Sequence, residues 1–283
     1  MSIITLTTDY GLKDHFVGAL KGKILSEFEE AKIIDLSHGI DPFNTVEASY
    51  VVGAGYLSFP KGTVHLIGVD LERNKETQHL AIEWNDHFFI CADNGILSML
   101  TQKIVPEKIV TINIHDRLPT DATDLDVFVT VACHLAKGGL LNVIGKEIKT
   151  MKEVTEIQPL IASDGNSIKG YVIYIDHFGN VVTNISKNIF METAKGRPYE
   201  IILSKNVRYQ NKTNIKNIWP KYSDIAISEK YPVKNYEGDK MAIFNEAGYL
   251  EIAIFRSNPN SVGSASSLLG LYYRDEVTVV FGK

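Results

Sequence analysis

The sequence predicts an α/β fold for residues 1–155, with an open, mostly parallel sheet and helices on both faces, followed by a small all-β barrel at residues 165–283. Up to about residue 145, apolar runs typical of buried strands alternate with runs of helical spacing, which indicates an α/β sheet. From Gly170 onward, short segments alternate in polarity, as in small barrels and sandwiches. The boundary is expected between residues 150 and 165.

Each element follows from its own pattern. The chain begins with "IITLTT", which has the character of a buried strand, and turns at Asp9 into a run of helical spacing. The pair Asn85-Asp86 predicts a hairpin turn, and two glycines end the last helix of the first region. The predicted strands of this region are residues 3–8, 32–37, 63–70, 79–84, 87–93 and 108–114, and its predicted helices are residues 15–28, 45–59, 95–104 and 124–139. In the second region the strand-like segments are residues 170–185, 199–210, 240–255 and 275–283.

Composition excludes several classes of protein. The net charge is −5 with no cluster of basic residues, which argues against non-specific nucleic-acid binding. Cys91 and Cys133 lie in apolar stretches outside any metal-binding spacing, as expected for reduced core residues. We find no signal peptide and no apolar run near the ~20 residues of a membrane span. A cytoplasmic protein without membrane association is therefore expected.

Polar residues follow several of the predicted strands. They are Asp9 and Asp14, Ser37 and His38, Asp70, and the pair Asp93 and Asn94. In open α/β sheets, ligands bind beyond the carboxyl ends of the strands. These side chains are therefore candidates for one binding site. Each also has a structural reading, because Asp and Asn favour turns and helix N-termini.

Six stretches occur in one order over nearly the whole chain: "TTDYGLKDHFVGALKG", "DLSHGIDPFNTVEAS", "HLIGVD", "ADNGILS", "YIDHFGNVVTNI" and "NEAGYLEIAI…GSASSLLG". Together they resemble the S-adenosyl-methionine (SAM) hydroxide adenosyltransferase family, which is related to SAM-dependent fluorinases and chlorinases. The resemblance implies displacement at C5′ of SAM by water or hydroxide, giving adenosine and methionine. It also implies a homotrimer, with each site between the N-terminal domain of one subunit and the C-terminal domain of the next. No cofactor beyond SAM as substrate is implied.

The same resemblance assigns roles to residues. It puts Asp9 on the ribose hydroxyls, Asp14 near the methionine ammonium and Phe43 near the reacting carbon. Two oxygens let a carboxylate such as Asp9 accept from both ribose hydroxyls. The further candidate substrate-binding residues are Asp93, Asn94, Asp176, Asn180, Phe244, Asn245, Arg256, Ser264 and Ala265.

The family's Asp-Arg-His triad around the attacking water is only partly present. Asp70 is kept, but Thr77 stands at the arginine position of the loop "VDLERNKETQH" and Thr123 at the histidine position of "ATDLDVF". Three explanations are open. Arg73 or His79 could act as a surrogate, or Asp70, Thr77 and Thr123 could simply orient the water. Otherwise the chain binds SAM or adenosine without turnover.

Two further classes of site are not expected. A halogenase would place its halide beside Asp70, and two anions repel. Neither His15 nor His177 has a second histidine at metal-ligand spacing, so the sequence predicts no metal site.

Overall fold

The computed structural model describes residues 2–102, 104–154, 157–203, 214–226 and 232–282. It divides into two compact units, Met1–Glu156 and Ile157–Lys283. The second half of the strand predicted at 199–210 lies outside the described residues. Among the described helices, none is long and apolar enough to cross a membrane.

The first unit contains one seven-stranded sheet, in the order β2-β1-β3-β5-β4-β6-β7. Pairing is parallel from β2 to β5 and antiparallel from β5 to β7. The strands are β1 (Ile3–Thr8), β2 (Lys32–Ser37), β3 (Val64–Gly68), β4 (His79–Trp84), β5 (His87–Ala92), β6 (Lys108–Ile112) and β7 (Gly145–Ile148).

The prediction of a mostly parallel sheet is wrong, because half of the pairings are antiparallel. The cause is the hairpin between β4 and β5, which turns through Asn85 and Asp86, both at positive φ. This hairpin places β4 between β5 and β6, and β4 runs against both of them.

Helices cover both faces of this sheet. They are α1 (Phe16–Glu27), α2 (Thr45–Gly55), α3 (Ile96–Leu100), α4 (Asp124–Ala136) and α5 (Leu141–Ile144). The helices α1 and α4 pack with Leu6 and Leu66 in one buried cluster. The helices α2 and α3 pack with Leu80 and Ile82 in the other. Cys91 and Cys133 are both buried and unbridged.

The second unit is a nine-stranded sheet that is nearly barrel-shaped. Its path runs β12-β11-β16-β9-β10-β15-β14-β13, with β8 beside β9, and β12 approaches β14 near the other end of the path. Its strands are β8 (Leu160–Ile161), β9 (Ser167–Ile175), β10 (Val181–Ser186), β11 (Tyr199–Leu203), β12 (Asn214–Ile215), β13 (Ile218–Trp219), β14 (Lys240–Phe244), β15 (Tyr249–Ile254) and β16 (Glu276–Phe281). Two helices accompany them, α6 (Lys187–Ala194) and α7 (Ala265–Leu269). A fully closed barrel stays a prediction.

Candidate functional site

A cavity of about 370 Å³ opens in the first unit where β1 and β3 end. It is lined by Asp9, Tyr10, Phe43, Gly68, Asp70, Leu71, Glu72, Thr123, Asp124 and Leu125. The wall thus comes from the loops after β1, β2 and β3 and from the start of α4. Four of the predicted site residues, Asp9, Phe43, Asp70 and Thr123, meet at this cavity.

Backbone contacts fix the loop that carries Asp9. The N–H of Phe43 donates to Oδ2 of Asp9 at 3.1 Å, and the N–H of Gly11 donates to the carbonyl of His38 at 2.8 Å. Phe43 has a φ of 62° and is 71% exposed, so its ring faces away from the core. In the described part of the chain Oδ1 of Asp9 accepts no hydrogen bond, and it is available to a ligand.

Tyr10 adds a hydrogen-bond donor to the same wall. Burial, and next the charge of Asp9, raise the pKa of Tyr10 to about 12. The phenol therefore keeps its proton at neutral pH and can donate to a ligand oxygen.

Asp70 is held in an unusual backbone conformation, with φ at 45°. The buried Asn94 stabilises it, because Nδ2 of Asn94 donates to the carbonyls of Val69 and Asp70 at 3.0 and 3.1 Å. Asp93 accepts the N–H of Lys152 at 2.8 Å, and burial raises the pKa of Asp93. Asn94 thus supports the loop that carries Asp70, Asp93 binds the backbone at Lys152, and neither lines the cavity.

Thr123 is the N-cap of α4. Its hydroxyl oxygen accepts the backbone N–H of Asp126, and its own backbone N–H donates to Oδ2 of Asp126 at 2.8 Å, which closes a capping box. The hydroxyl also donates to Oδ2 of Asp126 at 2.7 Å. With its proton engaged in this way, the Thr123 hydroxyl can offer a cavity water only a lone pair.

The remaining candidates of the first unit lie off the cavity. Arg73 donates its backbone N–H to Asp124 at 2.8 Å and turns its guanidinium towards Gln78. Thr77 donates its N–H to Asn74 in a tight turn. Asp14 is exposed just before α1. The structure therefore brings neither Arg73 nor Thr77 to the wall that carries Asp70.

Sequence reasoning missed three cavity residues with polar side chains: Tyr10, Glu72 and Asp124. With Asp9 and Asp70, the two extra acids make four carboxylates around one cavity. Asp124 stands in the same stretch as Thr123, so the acidic run "DATDLD" was the available signal. This concentration of negative charge favours a cationic ligand and disfavours an anionic one.

The second unit gathers four further candidates at one turn. Oδ1 and Oδ2 of Asp176 accept the backbone and side-chain N–H groups of Asn180 at 2.8 and 3.0 Å. Gly179 has a φ of 71°, and a Cβ there would lie 2.2 Å from the Ser264 Cβ. The turn thus packs directly against Ser264 and Ala265 at the start of α7.

A buried acid lies beside that turn. Glu251 accepts hydrogen bonds from the hydroxyl of Tyr222 and from Nδ2 of Asn245, the latter at 3.2 Å. Burial raises the pKa of Glu251, the two hydrogen bonds lower it in part, and the charge of Asp176 raises it again. Sequence reasoning missed Glu251, because a single acid between apolar strand residues is typical of an exposed position.

The side chains of Phe244 and Arg256 make other contacts. Phe244 packs edge-on against Phe190, with ring centroids 5.3 Å apart, at the border of the core. Arg256 has a φ of 51° and pairs with Glu237 at 3.2 Å on the surface.

Comparisons with known proteins show which family the chain resembles. The model of the SAM hydroxide adenosyltransferase N-terminal domain matches residues 4–145, and that of the C-terminal domain matches residues 170–278. A relative from Methanocaldococcus jannaschii, named (R)-S-adenosyl-L-methionine hydrolase, is 30% identical over 99% of this chain and 97% of its own. A protein named fluorinase, from Actinopolyspora mzabensis, is 22% identical over 89% of this chain and 90% of its own.

Solved structures show the same fold. A crystal structure of an uncharacterized conserved protein from Thermotoga maritima has a TM-score of 0.80 at 26% identity, covering 98% of this chain and 99% of that one. A conserved hypothetical protein from Thermus thermophilus has a TM-score of 0.68 at 22% identity, covering 99% of this chain and 100% of that one. With both domain models matched in order, the chain belongs to the SAM hydroxide adenosyltransferase family.

Proposed function

We propose that the protein hydrolyses SAM to adenosine and methionine. The oxygen of a water attacks C5′, the C5′–S bond breaks, and its electron pair stays on sulfur as the neutral thioether of methionine. One proton leaves the attacking water and passes to solvent, which accounts for the positive charge lost from sulfur. The thioether leaves as a neutral group without being protonated, so the reaction needs no general acid. The protein therefore has to align the attacking water and partly dehydrate it.

The single observation that supports this proposal best is the acidic cavity. Asp9, Asp70, Glu72 and Asp124 surround a space of about 370 Å³ at the carboxyl edge of the parallel strands. SAM carries a sulfonium cation, so this wall attracts the substrate and releases the neutral thioether. A halide would meet four carboxylates here, which argues against the chemistry that the fluorinase relatives are named for.

We propose roles for the lining residues. Asp9 accepts the ribose hydroxyls through the oxygen that its bond to Phe43 leaves open. Asp70 accepts a hydrogen bond from the attacking water, and the Thr123 oxygen offers a second acceptor. Asp14 contacts the methionine ammonium. In the second unit, Asp176, Asn180 and Asn245 contact methionine and adenine, together with Phe244, Arg256, Ser264 and Ala265.

We also propose a cytoplasmic homotrimer in which the two halves of each site come from neighbouring subunits. Large apolar side chains lie exposed near the candidate residues of each unit. Leu12 and Phe43 are 78% and 71% exposed in the first unit, and Phe178 and Val262 are 65% and 68% exposed in the second. Contiguous exposed apolar patches mark surfaces that a partner covers, so these side chains are our candidates for the contact between subunits.

A second candidate function is binding of SAM or adenosine without turnover. The observation in its favour is that Arg73 and Thr77 lie off the cavity that Asp70 lines. The water site then lacks a cationic residue at the triad's arginine position, whereas the nucleoside side of the cavity is unaffected.

One experiment separates the two functions. Purified protein is incubated with SAM of (R) and of (S) configuration at sulfur, and adenosine is followed by chromatography. Asp70→Asn provides the background, and Asp121→Asn, which changes an exposed acid outside the cavity, is the matched control. We expect adenosine from wild type and Asp121→Asn only. If wild type stays at the Asp70→Asn background yet binds adenosine in a calorimeter, hydrolysis is contradicted and binding is supported.

A further inference from the structure

Two histidines and an aspartate from three separate elements converge beside the cavity. His79 begins β4, His115 lies in a short helical turn after β6, and Asp124 begins α4. One ligand atom from each of the three lies within 4.8 Å of those of the others. Nδ1 of His79 and Nε2 of His115 are 3.2 Å apart. Two nitrogens bound to one tetrahedral zinc ion are separated by about the same distance, given bonds of about 2.0–2.1 Å.

The tautomer of His79 suits a metal ligand. Nε2 of His79 lies 2.9 Å from the carbonyl oxygen of Leu71, and a carbonyl can only accept. Nε2 therefore carries the proton, and Nδ1 presents its lone pair towards His115. Metal-bound histidines commonly donate their other N–H to a backbone carbonyl in this way. Phe128 packs edge-on against the His79 ring at 4.7 Å and fixes its orientation.

A backbone hydrogen bond also orients the Asp124 carboxylate. Its Oδ2 accepts the backbone N–H of Arg73 at 2.8 Å, and its Oδ1 lies 3.9 Å from Nε2 of His79. Nε2 is the nitrogen that donates to Leu71, and a carboxylate oxygen of Asp124 also lies within 4.8 Å of a ring nitrogen of each histidine. Asp124 also lines the acidic cavity, so the cluster and the cavity share one wall.

The charges around the cluster permit a cation. Burial is the main cause that lowers the pKa of both His79 and His115, which favours the neutral form of each ring, the form that binds metals. Arg73 opposes a bound cation, whereas Asp116 and Asp124 favour one.

We propose that His79, His115 and Asp124 bind a divalent transition-metal ion such as Zn²⁺ next to the acidic cavity. Two imidazoles and one carboxylate are a donor set that such ions favour. The proposal goes beyond SAM hydrolysis and does not depend on it. It departs from the sequence-based expectation of no metal, because that expectation considered only histidines close together in the chain. The alternative is a hydrogen bond from Nε2–H of His115 to Nδ1 of His79.

The test is metal binding by the full chain without substrate. Protein stripped with a chelator is titrated with Zn²⁺ in a calorimeter and with Co²⁺, whose visible absorption reports tetrahedral coordination. We expect one ion per chain. His115→Ala and the isosteric Asp124→Asn should each weaken binding at least about 10-fold, since even altering a residue behind the ligands commonly costs 10- to 100-fold.

The control is His15→Ala, which removes an exposed histidine from the start of α1 and should bind as wild type does. Circular dichroism of the metal-free variants shows whether each is folded, and Asp124→Asn preserves the shape of the site if His115→Ala does not fold. Absence of stoichiometric binding by wild type overturns the proposal. Equal affinity in wild type and folded Asp124→Asn also overturns it.

Discussion

At the scale of single residues, Asp9 accepts a backbone hydrogen bond from Phe43 and is also our proposed acceptor for the ribose hydroxyls, and a substitution can separate these two roles. Asp9→Asn keeps an oxygen for the N–H of Phe43 but removes the charge that we assign to the ribose hydroxyls. Hydrogen bonds to charged groups contribute about 1.5–3 kcal/mol. We therefore expect adenosine to bind about 10- to 100-fold more weakly, as measured by calorimetry.

Asp14→Asn is the control for that measurement. Asp14 is assigned to the methionine ammonium, which adenosine lacks, so this variant should bind adenosine as wild type does and SAM more weakly. Equal loss of adenosine affinity in both variants would contradict the two assignments.

Glu251 makes the stability of the protein depend on pH. Its pKa is raised in the folded chain, with burial as the largest cause. A carboxyl with a raised folded pKa contributes stability that is fully present below its unfolded pKa, near 4.5, and is lost as pH rises through the folded value. The free energy of unfolding of wild type minus that of Glu251→Gln should therefore fall as pH rises from 4.5. Urea titrations at several pH values measure it, and a constant difference would show that the folded and unfolded pKa values are equal.

Sequence pattern found two acids of the site that stand after strands, and the family resemblance added Thr123, but neither pointed to Asp124 or His115. Asp9 and Asp70 follow β1 and β3, so the topology of a sheet places them. Asp124 and His115 reach the same neighbourhood only because α4 and the turn after β6 pack there. Periodicity carries no information about that packing.

At the scale of elements, the start of α4 tests whether Thr123 is mainly a cap. Thr123→Ala removes the side-chain acceptor for the N–H of Asp126, and loss of an N-cap costs about 1 kcal/mol. Thr123→Ser keeps the hydroxyl and should unfold as wild type does in urea. If the serine variant is destabilised as much as the alanine variant, the methyl group of Thr123 and not its hydroxyl matters.

The strands were more predictable than their arrangement. The sequences of β1, β3 and the β4–β5 hairpin were identified from apolar pattern and turn residues. The direction of β6 was not identified. Nothing in the segment "KIVTINI" indicates which of the two hairpin strands, β4 or β5, it lies beside. The pairings of β6 with β4 and with β7 add to that of the β4–β5 hairpin, so half of the pairings in the sheet are antiparallel.

At the scale of the whole molecule, our proposal draws each site from both units, which fold around separate cores. Asp9 and Asp70 belong to the first unit, and Asp176 and Asn180 belong to the second. If neighbouring subunits supply the two halves, then two different inactive variants can complement each other. Light scattering after size exclusion should first give the mass of three chains of 31.6 kDa.

Complementation tests the shared site directly. Asp70→Asn damages the first-unit half and Asn180→Ala the second-unit half, so each variant alone should release little adenosine from SAM. In trimers assembled at random from equal amounts of both, about a quarter of the sites pair two intact halves, and about a quarter of wild-type activity should return. Mixing either variant with itself is the control. A co-assembled mixture without restored activity would show that each site is built from a single chain.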